Sequence, residues 1–281
     1  MSDTTTWRDL LAETTAVVGE RPAARWLCEV ASGADRVEDV LHEPATQRMV
    51  AHLDAMVARY RAGEPLAYVL GRWSFRHLDL AVDRRVLIPR PETEVVAGVA
   101  IELARALPAP IVVADLGTGS GAIGLALADE LPLDGVTVWL TDASTDAVDL
   151  ASANLAGIGR HAANGRVAAG DWFDALPATT RLDLVVANPP YVADRAVDLD
   201  DAVREWEPPE ALFAGPDGLR AIRTIIAAAP RHVRSGGWLV LEIGADQGPA
   251  VEHLLRAGGY VDVVIRPDLA GRDRVAVGRL P

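Results

Sequence analysis

Lysine is absent from this 281-residue chain: all 27 basic residues are arginine, set against 40 aspartates and glutamates, for a formal charge of −13. An acidic surface repels phosphate backbones, so nucleic acid is a disfavoured direct partner unless a local basic patch exists. Cysteine is nearly absent as well. Cys28 stands alone, so no internal disulfide can form, which suits a reducing cytoplasm. The six histidines (His42, His52, His77, His161, His232, His253) are scattered without metal-ligand spacing, and no metal is expected. No apolar run approaches the ~20 residues of a membrane span, and the N-terminus lacks a basic stretch followed by an apolar one. The expectation is a soluble cytoplasmic protein, most simply a monomer. Half of the residues are apolar, ample for a full core in one or two domains.

The first sixty-odd residues carry helical periodicity, with Leu10, Leu11, Thr14, Val17 and Val18 on one stripe and Val50, Leu53, Met56, Val57 and Tyr60 on another. Gly19, Gly33 and Glu43-Pro44 punctuate them. From Tyr68 to Ile88 short alternating stretches, including Leu78, Leu80 and Val82, predict a hairpin or connector. Pro91 then opens a helix with the stripe Val95, Val96, Val99, Leu103 and Leu107. After Pro110 strands and helices alternate. Seven strands are predicted: Ile111–Leu116, Val136–Leu140, Arg166–Ala169, Leu182–Ala187, Trp238–Ile243, Tyr260–Ile265 and Arg274–Val277. Helical patterns at 123–128, 145–157, 218–229 and 246–257 separate them. Such alternation implies a parallel sheet covered on both faces, and the closing hairpin makes the last strand antiparallel. The chain thus divides into a small helical domain (1–64), a hairpin connector (65–88) and an α/β domain (89–281).

Two loops in the α/β part carry chemistry. Asp115-Leu116-Gly117-Thr118-Gly119-Ser120-Gly121 follows the first strand of the sheet. Glycines there let the backbone turn tightly and approach a ligand, and the next helix offers free amide donors. Asp142, at the end of the second strand, suits both ribose hydroxyls of an adenosine. Gly119, Gly121 and Gly124 also match the dinucleotide fingerprint, with Asp142 following 18 residues later, so a nicotinamide or flavin oxidoreductase is a rival. Asp115 favours S-adenosylmethionine, because its carboxylate would attract an amino group and a sulfonium but repel a pyrophosphate. Asp171 and Trp172, after the third strand, are candidates for the adenine amino group and ring; Phe173 reads as core.

Asn188-Pro189-Pro190-Tyr191 ends the fourth strand, beside the crevice where strand order reverses in open α/β sheets. A planar amide or aromatic amino nitrogen has a delocalised lone pair and is a poor nucleophile. The Asn188 side-chain carbonyl and the Pro189 main-chain carbonyl can accept its two N–H bonds, while the prolines hold the backbone rigid. Tyr191 offers a ring to stack on the planar group. The reading is a Rossmann-like class I methyltransferase sheet acting on a planar nitrogen, which leaves base amino groups and the glutamine amide open as substrates. A binding module that keeps only the cofactor pocket is a further alternative.

Wider motifs narrow the choice. Gly71-Arg72-Trp73-Ser74-Phe75, Leu87-Ile88-Pro89-Arg90-Pro91-Glu92-Thr93-Glu94, the glycine loop and Asn188–Tyr191 occur together with Glu207-Pro208-Pro209-Glu210-Ala211-Leu212. Gly236-Gly237-Trp238, Glu242-Ile243-Gly244 with Gln247, and Asp268-Leu269-Ala270-Gly271-Arg272-Asp273-Arg274-Val275 follow in order. From about Glu64 onward the chain closely resembles the release factor glutamine methyltransferases (the HemK/PrmC family). The resemblance implies N5-methylation of the glutamine in the Gly-Gly-Gln tip of peptide chain release factors, with the helical N-terminal domain gripping that protein substrate. It also implies cofactor contacts from Gly117–Gly121, Asp142, Trp172 and Asn188, and substrate contacts from Asn188–Tyr191. His77 and Leu80 stand where the family usually has a glycine and an aromatic residue; His77 reads as a hairpin surface residue.

Overall fold

The computed structural model of the protein describes residues 5–196 and 200–281. The chain forms two compact units, one of residues 1–72 with 201–206 and one of 73–200 with 207–281.

The first unit is helical. Helices α1 (Trp7–Val18), α2 (Arg21–Ser32), α3 (Gln47–Arg61) and α4 (Leu66–Leu70) are bounded by local chemistry. Thr6 and Asp9 form a reciprocal capping box at the start of α1, and Thr46 caps α3. Gly19 and Gly33 close α1 and α2 with positive φ, which glycine adopts without steric cost. Trp7, Leu10, Leu27, Cys28, Leu53, Met56 and Val69 form the core. Of the predicted α1 stripe, Leu10 and Thr14 are buried, whereas Val17 is exposed. Tyr68, read as the start of an alternating stretch, lies instead on the short helix α4.

The hairpin strands are β1 (Arg72–Phe75) and β2 (Leu78–Ala81). His77 is exposed at their turn, and Leu80 is buried among the core residues of the α/β unit. An aliphatic side chain at Leu80 therefore fills core space, while the turn itself is held by Arg76, whose guanidinium grips Glu130 (Nη2 to Oε2, 2.9 Å).

The second unit continues through α5 (Pro91–Arg105), β3 (Ile111–Leu116), α6 (Ala122–Glu130), β4 (Val136–Asp142), α7 (Thr145–Gly157), β5 (Gly165–Ala169) and β6 (Leu182–Ala187). The short helix α8 (Asp201–Trp206) belongs to the first unit, and the sequence pattern predicts no element there. Then come α9 (Arg220–Ala228), β7 (Val233–Glu242), α10 (Gly248–Ala257), β8 (Val261–Pro267) and β9 (Asp273–Arg279). The seven-stranded sheet has the order β5-β4-β3-β6-β7-β9-β8, parallel except for β9, which runs antiparallel to both neighbours. Side chains alternate across it. Val113, Leu184 and Val186 face α5 and α6, and Ala114, Leu116, Val185 and Ala187 face α9 and α10. Both faces are thus buried, which is why these strands read as continuous apolar runs. Strand order reverses between β3 and β6, so the loops at their C-terminal ends splay apart and open a crevice. Among the described residues no helix is long and apolar enough to cross a membrane.

Candidate active site

The crevice is a cavity of about 1050 Å³ at the C-terminal ends of β3, β4 and β6, at the upper end of the ~300–1,000 Å³ usual for small-molecule sites. It has room for a cofactor with a substrate side chain beside it. Asp115, Gly117, Thr118, Gly119, Ser120, Asp142, Asp171, Trp172, Asn188 and Pro190 all line it. Gly121, Pro189 and Tyr191 stand outside that lining.

The glycine loop is braced from behind. Gly117, Gly119 and Gly121 all have positive φ, so any other residue would be strained there. Asp115 Oδ2 accepts from the Thr118 hydroxyl (2.5 Å) and from the Gly124 amide (2.8 Å). A Cβ on Gly124 would come 2.6 Å from Leu140 Cγ, so α6 packs on β4 only because that residue is glycine. The other Asp115 oxygen, Oδ1, is buried with no hydrogen-bond partner among the described residues. Burial pushes this carboxyl up to about 7, with the Thr118 hydroxyl and Gly124 amide pulling the other way. A buried, half-satisfied carboxylate at a cavity wall is suited to a cation and hostile to a phosphate. Asp142 accepts from the Gly119 amide (2.9 Å) and the Ser144 amide (2.9 Å), which fixes its carboxylate between the first two loops.

Trp172 closes the pocket from the β5 side. Its indole ring lies over Gly117, where a Cβ would sit 3.5 Å from Cζ3. The residue itself holds φ at +45°, a sparsely populated conformation for a bulky side chain. Phe173 is buried, stacked on His232 with ring centroids 4.5 Å apart.

Asn188 reaches Thr93 on α5, Nδ2 to Oγ1 at 3.5 Å, and its amide oxygen carries no protein hydrogen bond among the described residues. The sequence reading places the Tyr191 ring against a planar substrate group. In the structure the Tyr191 hydroxyl donates to Glu242 Oε1 (3.3 Å) and the ring packs on the buried cluster behind the sheet. Glu242 is fully buried at the end of β7; its Oε2 makes no well-formed hydrogen bond among the described residues, although the Thr93 hydroxyl lies beside it. Burial pushes Glu242 up to about 7, and Thr93 and Arg274 pull it back. Arg274, at the start of β9, also bonds the Ile243 carbonyl (3.0 Å). Gln247 braces the tetrapeptide from below, donating to the Tyr191 carbonyl (3.0 Å) and accepting from the Gly244 amide (2.9 Å).

Two further loops shape the mouth. Leu87 and Pro89 line it from one side and Pro208, Glu210 and Ala211 from the other. Arg90, half-buried, and Glu207, buried, tie these loops together through an ion pair, and the second Glu207 oxygen accepts from the Ile88 amide (3.3 Å). Thr93, Glu242, Arg274 and Gln247 therefore join the site although the residue reading assigns them no role. One signal was available: a glutamate inside the apolar run Trp238–Ile243 is a carboxylate with nowhere to go but a buried partner.

Comparison with known proteins agrees with this architecture. Residues 5–71 match the family model described as the PrmC N-terminal domain, and residues 98–205 match the methyltransferase small domain. A release factor glutamine methyltransferase of Xylella fastidiosa (strain Temecula1) is 44% identical over 85% of this chain and 84% of its own length. The chain belongs to the release factor glutamine methyltransferase family. A second member, from Gloeobacter violaceus, is 42% identical over 96% of this chain and 95% of its own. At the level of fold alone, a methyltransferase from Pyrococcus furiosus superposes with a TM-score of 0.51 at 17% identity, over 79% of this chain and 96% of that one. This member of the family is accordingly an enzyme of the S-adenosylmethionine-dependent class, with the helical unit and the seven-stranded sheet both accounted for.

Proposed function

We propose that this chain methylates the side-chain amide nitrogen (N5) of the glutamine in the Gly-Gly-Gln motif of peptide chain release factors, using S-adenosylmethionine. The observation that carries the reading is Asn188, which lines the same cavity as the glycine loop and keeps its amide oxygen uncommitted. The fit to the cofactor rests on Asp115, whose buried unpartnered oxygen suits a cationic ligand, and on Asp142, held where it can accept from ribose hydroxyls. Gly117–Gly121 give the backbone room to approach the ligand, and Asp171 and Trp172 suit the adenine. When bound, S-adenosylmethionine supplies a methyl group activated by its sulfonium. Asn188 Oδ1 and the Pro189 carbonyl accept the two N–H bonds of the glutamine amide and orient the nitrogen. Buried Pro189 and cavity-lining Pro190 keep that geometry rigid. Tyr191 supports the turn through Glu242. The excess proton is acidic once the amide carries charge, so no strong base is needed. The acidic composition suits a protein substrate in the cytoplasm, gripped by the helical unit, and disfavours naked nucleic acid.

The test is incubation with methyl-labelled cofactor and a release factor, beside the same factor with its tip glutamine replaced. Label on the parent factor alone is expected; equal label on both would defeat the glutamine assignment. Calorimetric titration should show S-adenosylmethionine binding far more tightly than NAD, and the reverse order would defeat the cofactor assignment.

A further inference from the structure

An asparagine amide can face either way, and only one orientation offers its oxygen to a substrate N–H. What decides the orientation of Asn188 is therefore part of the chemistry. Its neighbour Thr93 is buried and lies on α5, 95 residues earlier in the chain. The Thr93 hydroxyl lies beside Glu242, which is fully buried and keeps one oxygen short of a well-formed bond. A hydroxyl has one proton to give.

We propose that Thr93 and Glu242 are positioning residues: the Glu242 carboxylate accepts the hydrogen bond of the Thr93 hydroxyl, Thr93 can then only accept from Asn188 Nδ2, and Oδ1 is left to accept from the substrate N–H. This inference rests on the reading that Asn188 holds the amide. The 3.5 Å contact is long, as hydrogen bonds in ligand-free sites often are before substrate tightens them. Glu242 is faced by Thr93 and Glu92 of α5, by Tyr191 after β6 and by Arg274 of β9. With Glu242 protonated it can donate to Thr93, the Thr93 proton is released toward Asn188, and the amide is free to turn over. Activity should then decline on the acid side of about pH 7.

The experiment compares the full-length parent with Thr93→Val, Thr93→Ser and Glu242→Gln, using labelled cofactor and a release factor. Thr93→Val, which keeps the shape and removes the hydroxyl, should lower kcat roughly tenfold, the size of one lost hydrogen bond. Cofactor affinity should hold within about twofold, and Thr93→Ser should restore most of the rate. Glu242→Gln should flatten the acid limb of the kcat profile measured at saturating cofactor. Parent-like kcat in Thr93→Val, no rescue by serine, or cofactor affinity falling in step with the rate would each overturn the proposal. A second measurement needs no turnover: the Asn188 side-chain amide resonance, assigned by its loss in Asn188→Ala, should titrate near pH 7 in the parent and stay still in Thr93→Val. An amide signal that titrates equally in both proteins would also overturn it. If the parent itself labels no release factor, the substrate reading fails, and the resonance still decides the positioning question.

Discussion

Replacing Arg90 by methionine tests how the mouth of the cavity is held. The substitution keeps an unbranched apolar stem and removes the charge that faces Glu207. The Glu207 side chain is 1% exposed, so it is left with the Ile88 amide as its hydrogen bond. Stranding a buried carboxylate costs about 3–5 kcal/mol when the group stays ionised. Glu207 has an escape, which is to take a proton. Burial already raises it above its ordinary value of 4.5, with Arg90 pulling it back. Without Arg90 it rises further. Neutralising an ordinary carboxyl at pH 7 costs about 3 kcal/mol, at ~1.4 kcal/mol per pH unit, and this caps the loss. The sign follows directly. A folded-state value above the unfolded one means that stability is full below pH 4.5 and drains away as pH rises toward the folded value. The variant should therefore lose about 3 kcal/mol at pH 7 and only about 1 kcal/mol at pH 5.5. In melting temperature that is roughly 6–12 °C at neutral pH, on the usual scale for a domain of this size. Denaturant titration at the two pH values, with Arg90→Met/Glu207→Gln as the partner that recovers most of the loss, measures it. A loss below ~1 kcal/mol at pH 7, or one independent of pH, would refute the argument.

Asn188→Ala should abolish detectable methyl transfer while calorimetric cofactor affinity changes far less; parent-like turnover would remove the amide clamp. Asp142→Ala should weaken the cofactor about 10–100-fold by calorimetry, the range for lost charge-assisted hydrogen bonds, and an unchanged affinity would take Asp142 out of the site. Cofactor affinity in the parent should rise between pH 6 and pH 8, because a cation favours ionised Asp115, which burial holds near 7. Asp115→Asn should lose that dependence, and an identical slope in both proteins would disprove the pairing. Gly218→Ala should depress kcat and destabilise the chain by about 1–3 kcal/mol, since its Cβ would land 2.3 Å from the Tyr191 carbonyl and 2.9 Å from Gln247 Nε2. Circular dichroism melts and rates check it together.

Local chemistry made most of the sheet legible. Ile111–Leu116 and Leu182–Ala187 are apolar because both faces of the central strands are covered, and their bounds coincide with the predicted runs. β7 starts at Val233, five residues before the predicted Trp238, because Gly236 and Gly237 interrupt its apolar pattern. Gly237 is needed there for close packing, since its Cβ would fall 2.9 Å from the Asp183 carbonyl. α8 has no buried residue and hence no periodicity to read. At the site, the glycine loop and Asn188–Tyr191 announce themselves because their chemistry is contiguous in sequence. Thr93, Glu242 and Arg274 do not, because β9 slots in beside β7 only in the folded sheet and sets Arg274 next to Glu242. The Tyr191 ring suggests stacking, whereas its hydroxyl bonds Glu242, a partner remote in sequence.

The reversal of strand order between β3 and β6 brings two different stretches of chain to one cavity. The loops after β3, β4 and β5 supply Gly117–Ser120, Asp142 and Asp171–Trp172 to its lining, and on the proposed function these would hold the cofactor. Asn188 and Pro190 after β6, with Pro208, Glu210 and Ala211 before α9, also line it, and there the proposal sets the acceptor amide. On that proposal, selection on the acceptor falls on the chain after β6 rather than on β3 to β5. Change in the loops after β3, β4 and β5 would alter donor binding for every acceptor at once. An engineer seeking a new amide substrate would keep Asn188 and Pro189, vary the mouth residues Pro208, Glu210 and Ala211, and leave β3 to β5 untouched.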